Sequence, residues 1–145
     1  MFFLKALPTL QMVSAYTGSE EDAEIISSAL VMMRKASLLI RDVEKYFAEH
    51  GLSQLKFLIL IVIDREPGRD SLRHSEIAER LDVSKPVLHR TVKTLVEMGF
   101  LQQTADETDR RAEHLSVTDA GAARLSAVLP GYFDLIRTYM AKTSV

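Results

Sequence analysis

Apolar residues recur along this chain at the spacing of helix faces, and the places where the spacing fails mark its joints. From Phe2 to Tyr16 the pattern is weak, with Phe3, Leu7, Leu10 and Val13 at helical intervals before Thr17-Gly18-Ser19 interrupts it. Ser19 then reads as an N-cap, followed by Glu20, Glu21, Asp22 and Glu24, which suit the positive end of a helix dipole. A stripe through Ile25, Ala29, Met32 or Met33, Ala36, Leu39 or Ile40, Val43, Tyr46 and Phe47 predicts one long helix over 21–49. His50-Gly51 closes it. Residues 54–65 have almost no polar face, since Leu55 and the run from Phe57 to Ile63 are apolar, so this segment must be buried on every side. Its β-branched residues also suit a buried strand, but the Ser53 cap favours a helix. Glu66-Pro67-Gly68-Arg69-Asp70 is turn-rich.

The stretch from Arg73 to Gly121 organises the rest. Ile77, Ala78 and Leu81 give a short helix its stripe, and Asp82-Val83-Ser84 breaks the period. Ser84 as N-cap and Pro86 near the first helical position open a second helix that runs to Met98 and stops at Gly99. Leu88, Val92, Leu95 and Val96 form its inner face. The outer face carries Pro86, Arg90, Lys93, Thr94 and Glu97, and the candidate DNA-facing set is Ser84, Lys85, Pro86, Val87, His89, Arg90, Lys93 and Thr94, with no acid between Ser84 and Val96. Cations for phosphates and long or small polar groups for base edges are what a helix needs to enter a major groove. Phe100-Leu101 and Leu115-Ser116-Val117 are short strand candidates flanking a polar loop, Gln102 to His114, with Arg110 and Arg111 near its tip. Arginines on such an arm suit a narrow minor groove. Thr118 caps a helix to about Leu129, Pro130-Gly131 ends it, and Tyr132, Phe133, Leu135, Ile136, Tyr139 and Met140 form a further short apolar helix.

Composition narrows the function more than it identifies it. At 145 residues, with 47% hydrophobic, the chain has the size and apolar content of one globular domain. Its net charge of −2 gives no general attraction to nucleic acid, so any such affinity must come from where the cations sit. Without cysteine it holds no disulfide or thiolate metal site. No apolar run reaches membrane-spanning length, and the start lacks the form of a signal peptide, so a cytoplasmic protein with no membrane partner is expected. No phosphate loop, nucleophile elbow or zinc-protease motif is present. His50, His74, His89 and His114 lack metal-ligand spacing and read as surface or cap histidines, Asp106-Glu107 as a solvated acid pair, and Met12, Met32 and Met33 as core. The reading is of a non-enzyme with no cofactor.

Two motifs carry a family resemblance. Leu81-Asp82-Val83-Ser84-Lys85-Pro86 with Arg90, Leu95 and Gly99-Phe100-Leu101 resembles the recognition region of MarR-family transcriptional regulators. Asp109-Arg110-Arg111, then Leu115-Ser116-Val117-Thr118 and Gly121, resembles that family's wing signature. The chain departs from the family at Arg73, where a capping Ser or Thr is usual, leaving Ser71 or Ser75 as caps. It also departs at Val87, His89 and Lys93-Thr94, so the family's operator preferences do not transfer.

The resemblance implies a mainly α winged helix-turn-helix with a small β-hairpin wing and N- and C-terminal dimerisation helices. Residues 1–145 form a single domain in this reading, with 71–117 as the winged helix-turn-helix and 1–70 and 118–145 as dimerisation or bracing helices. It implies a homodimeric, ligand-responsive repressor on double-stranded DNA with a pseudopalindromic operator. Asp109 is expected to support the wing by orienting Arg111. A small aromatic or amphipathic ligand is expected near Tyr46, His50 and Phe57. The competing reading is a winged-helix module for protein–protein contact that binds no DNA.

Overall fold

The computed structural model describes residues 2–109 and 111–143. Their contacts divide them into two compact units, one up to Lys45 and the other from Tyr46 onward. The first unit holds α1 (Leu10–Thr17) and most of α2 (Glu20–Glu49). Helix α1 starts only after Pro8, later than the apolar spacing from Phe3 suggests. Thr9 Oγ1 accepts the Met12 N–H at 3.2 Å, and Gly18, at φ 72°, closes the helix by donating to the Ser14 carbonyl at 2.9 Å. Ser19 Oγ accepts the Asp22 N–H at the start of α2, and Glu20, Glu21 and Asp22 occupy the first turn. Val13, Ala23 and Val43 are buried, but much of the α2 stripe is not. Ile25 is 64% exposed, Met32 70% and Met33 48%. With Met12 at 58%, the three methionines expected in a core lie on the surface of the single chain.

In the second unit, α3 (Gln54–Asp64) is the core, and it is a helix, as its Ser53 cap predicts. Ser53 Oγ accepts the Lys56 N–H at 3.1 Å. Phe57, Ile59, Leu60, Val62 and Ile63 are buried, each worth roughly 1.5–3 kcal/mol over exposure. A two-residue strand β1 (Leu72–Arg73), not legible in the sequence, leads into α4 (His74–Arg80). After α5 (Lys85–Glu97), strands β2 (Leu101–Ala105) and β3 (Glu113–Val117) form a hairpin. The antiparallel sheet runs β1-β3-β2, with Leu72 opposite Leu115 and Leu101 opposite Val117. The strands extend into residues that read as loop, because Gln102, Gln103, Thr104 and His114 pair through backbone alone and leave no apolar alternation.

Three expectations are corrected at the helix ends. The cap of α4 is neither Ser71 nor Ser75. Arg73 takes the N-cap position, and Glu76 Oε1 accepts its backbone N–H at 3.1 Å. Ser84 sits at the N-cap of α5 with extended backbone, but its hydroxyl makes no capping bond. Pro130 does not end a helix either. A single helix α6 (Asp119–Thr143) runs through it, since Leu125 and Val128 are buried on one side of it and Tyr132 packs on Phe47 and Phe57 on the other. Among the described residues no helix is long and apolar enough to cross a membrane.

Thr118 joins the wing to α6. Its Oγ1 donates to the Gly99 carbonyl at 2.6 Å and accepts the Gly121 N–H at 3.1 Å. Gly121 then lies so close to the hairpin that an added Cβ would collide with the Phe100 carbonyl oxygen and come within 2.9 Å of Val117 Cγ1. Gly121→Ala is therefore expected to destabilise the fold by about 1–3 kcal/mol in urea unfolding. Wild-type stability in that variant would show that the helix moves freely off the hairpin.

Candidate nucleic-acid interface

Helix α5 buries Leu88, Val92 and Leu95 and turns its other side to solvent. Ser84, Lys85, Pro86, His89, Arg90 and Lys93 are exposed, while Val87 and Thr94 are half-buried. Thr91 and Thr94 donate their hydroxyls to the Val87 and Arg90 carbonyls, at 2.7 and 3.1 Å, which keeps these side chains close to the helix. All the expected α5 residues thus lie on one element and in one arc.

The wing is built on a buried carboxylate that its sequence context hides. Asp106, expected to be solvated with Glu107, is only 9% exposed. Its Oδ1 accepts from the Thr108 N–H at 2.9 Å and the Thr108 hydroxyl at 2.8 Å. Its Oδ2 accepts from the Arg73 guanidinium and from His114 Nε2 at 3.0 Å. His114 Nδ1 lies 3.3 Å from Ser71 Oγ. The carboxylate ties hairpin to β1, and so to the start of α4. These bonds hold the Asp106 carboxyl well below its usual range, the Thr108 N–H first, then His114 and the Thr108 hydroxyl, with Arg73 adding to them against the effect of burial.

Beyond Asp106 the turn is closed by Asp109, whose Oδ1 accepts the Arg111 N–H at 3.0 Å and whose carbonyl accepts the Ala112 N–H. The contact to Arg111 is through its backbone. Arg110 lies outside the described residues. The Arg111 side chain lines a concavity of about 590 Å³ together with His74, His89, Lys93, Gln103 and Glu113. Recognition-type helix, first helix and wing thereby share one groove. His74 and His89 stack across it, centroids 4.3 Å apart and planes within 7°. Sequence spacing could not pair them, because they sit on different helices whose meeting depends on the turn at 81–84.

Tyr46 and His50 are half-buried with ring centroids 4.4 Å apart, while the buried Phe57 is linked to Tyr46 through Phe47. Tyr46 donates its hydroxyl to the Val128 carbonyl at 2.6 Å, His50 Nδ1 is 2.8 Å from the Tyr46 carbonyl, and Phe57 stacks on Phe47 at 4.6 Å. Among the described residues no group of three or more His, Asp or Glu is placed to hold a metal ion.

Helix, turn, helix and hairpin in this order, with a cationic outer face on the second helix, define a winged helix-turn-helix protein. Residues 50–112 match the sequence profile of the MarR family. The chain is 31% identical over 144 residues to the HTH-type transcriptional repressor YetL of Bacillus subtilis, covering 97% of this chain and 85% of that one. This chain belongs to the MarR family. It is also 28% identical over 126 residues to the transcriptional repressor MprA of Escherichia coli, covering 85% of this chain and 70% of the relative.

Solved structures share the fold at lower identity. AbsC, a MarR family transcriptional regulator from Streptomyces coelicolor, superposes with a TM-score of 0.73 at 22% identity, covering 80% of this chain and 78% of its own. Sco3205 from the same organism, solved in complex with DNA, gives 0.74 at 20%, covering 84% and 75%.

The carboxylates at the base of the interface set an acid limit. The Arg69 guanidinium lowers Glu76 from 4.5 to about 2, helped by the Arg73 N–H against the effect of burial. Glu76 and Asp106 both titrate lower in the fold than in the unfolded chain. Their contribution is therefore complete above about pH 4.5 and is lost as pH falls toward 2. Urea midpoints should fall across that window, and fall less in Glu76→Gln with Asp106→Asn. Equal acid slopes in the two proteins would exclude these carboxylates as its source.

Proposed function

We propose that the protein is a sequence-specific DNA-binding transcriptional repressor that works as a homodimer in the cytoplasm. The observation that carries this reading is the stretch of α5 from Lys85 to Thr94, which holds no acid and exposes Lys85, His89, Arg90 and Lys93, with the wing residue Arg111 lining the same groove as His89 and Lys93. On a chain of net charge −2, such segregation is more than a solvated helix needs. The named relatives are transcriptional repressors, and the comparable structure of Sco3205 holds DNA. In this reading Ser84, Lys85, Pro86, Val87, His89, Arg90, Lys93 and Thr94 face the major groove. Arg110 and Arg111 reach the minor groove, and Asp109 shapes the turn that carries them. Phosphate contacts position the helix and Arg90 reads a base edge.

Dimerisation follows from surface the single chain leaves uncovered. Ile25, Met32, Met33 and Ile40 on α2, with Phe133 and Met140 on α6, are all about half exposed or more. Apolar surface of this extent marks an interaction face. A second copy places a second α5 about one DNA turn away, which suits a pseudopalindromic operator. The aromatic or amphipathic effector implied by the family acts in this reading at Tyr46, His50 and Phe57, by displacing the Tyr132 ring that packs on Phe57.

Two measurements test the proposal. Selection from random duplex DNA should enrich a pseudopalindrome, and Arg90→Ala should lose about 1–3 kcal/mol of binding and relax one base position per half-site. No enriched duplex would leave the protein–protein module as the better reading, and an unchanged selected sequence for Arg90→Ala would remove its base contact. Sedimentation should show a dimer at micromolar concentration, with Met32→Glu and Met33→Glu shifting it to monomer. A wild-type monomer would exclude the dimeric repressor.

A further inference from the structure

The stacked imidazoles have no part in the fold's core, yet they hold a fixed geometry on the proposed DNA face. His89 is exposed and His74 half-buried, and the rings lie nearly parallel at 4.3 Å. Around them the groove presents Lys93 from α5, Gln103 from β2, Glu113 from β3 and Arg111 from the wing turn. Gln103 Nε2 donates to Glu113 Oε2 at 3.1 Å, so the one acid in the groove is already engaged. The neighbouring charges on β1 and α4 are also committed, Arg73 to Asp106 and Glu76 to Arg69. With both imidazoles neutral, Lys93 and Arg111 against Glu113 leave one net positive charge in the groove. Lys85 and Arg90 are exposed on the same helix as His89 and Lys93.

We propose, resting on the DNA-binding reading above, that the His74–His89 stack takes up one proton when a DNA backbone phosphate enters this groove. Operator affinity therefore rises as pH falls. Two imidazolium rings this close repel, so the pair accepts a single proton. In the free protein a proton on His74 is disfavoured. Burial pushes His74 below its ordinary range and the facing His89 pushes the same way, with Glu113 opposing. A phosphate oxygen reverses the balance, because an anion in contact favours the charged form and accepts its N–H. The proton comes from solvent. Binding then raises the pair's affinity for a proton, and by linkage the proton raises the affinity for DNA. The stack thus adds a positive charge on binding.

The test uses the full chain and a duplex that the wild-type protein enriches from a random pool at about pH 8. Affinity is then measured by fluorescence anisotropy from about pH 8 to about pH 6 at constant ionic strength. Wild-type affinity should rise by up to about tenfold per pH unit for each chain engaged. The His74→Gln, His89→Gln double variant, which keeps Lys93, Arg111 and the clamp histidine His114, should lose most of that rise. Should the double variant unfold, His89→Gln alone, at an exposed position, gives the same comparison. The salt dependence of wild-type binding should also steepen by about 0.9 per chain between the two pH values, as expected for one more phosphate contact. Equal pH dependence in wild type and variant overturns the proposal. A pH-dependent affinity with no change in salt slope overturns the phosphate and assigns the proton to a base edge. An enriched duplex with a flat pH profile removes this inference and leaves the regulator reading standing, while failure to enrich any duplex removes both.

Discussion

The burial of α3 is the constraint on which the second unit depends. A helix this apolar has to be covered on most of its surface; α3 touches α4, α5, α6 and β3, and of its apolar residues only Leu55, Leu58 and Ile61 are left half-buried. Each of those elements is then positioned by the face it must give to α3. Helix α5 gives Leu88, Val92 and Leu95, so its cations point outward as a geometric consequence. Strand β3 contributes Leu115, fully buried, and this fixes the register of the hairpin, because a slip of one residue would turn Leu115 to solvent. The outer face is determined from within.

The wing needs a second anchor, since a two-stranded ribbon reaching into solvent has little apolar surface to bury. Asp106 supplies it with bonds to Arg73, His114 and Thr108. A buried carboxylate with every near donor satisfied defines direction more sharply than apolar packing does, at the expense of stability in acid. Together with the β1–β3 pairing and the Ser71–His114 contact, Arg73 links the wing to the entry of the helix pair.

What could be read from the sequence follows the range of the forces involved. Helices α2, α3 and α5 were legible because their stripes are local and periodic, whereas Gly121 entered only through the family's wing signature, since its close approach to Phe100 and Val117 is a tertiary contact. The strand β1 was not, since two residues have no period and its pairing partner lies more than forty positions away. Pro130 misled because a local rule about helix ends lost to the packing of Tyr132 on Phe47 and Phe57. The outer arc of α5 was legible in its composition. The groove was not, for it brings His74, Gln103 and Glu113 to α5 from three other elements. Asp106 read as solvated because its neighbours Glu107 and Thr108 are polar, and nothing in the order of residues reveals the arginine above it.

The passage of α6 through Pro130 has a mechanical consequence. The helix has 25 residues and spans about 37 Å. Pro130 stands almost midway and has no N–H, so the Ser126 carbonyl lacks its usual helical donor. Beside it the Val128 carbonyl accepts the Tyr46 hydroxyl, and the Gly131 position would bring any Cβ to about 3.0 Å from the Tyr46 ring. A rod of this length would transmit a tilt at one end undiminished to the other. The missing hydrogen bond makes this turn the more compliant one, and it is held by the Tyr46 hydroxyl and by Tyr132 packing on Phe47 and Phe57. The arm beyond Tyr132 can therefore change its angle while the arm that begins at Thr118 stays fixed to the wing, with the Tyr46 contact setting how stiff the hinge is.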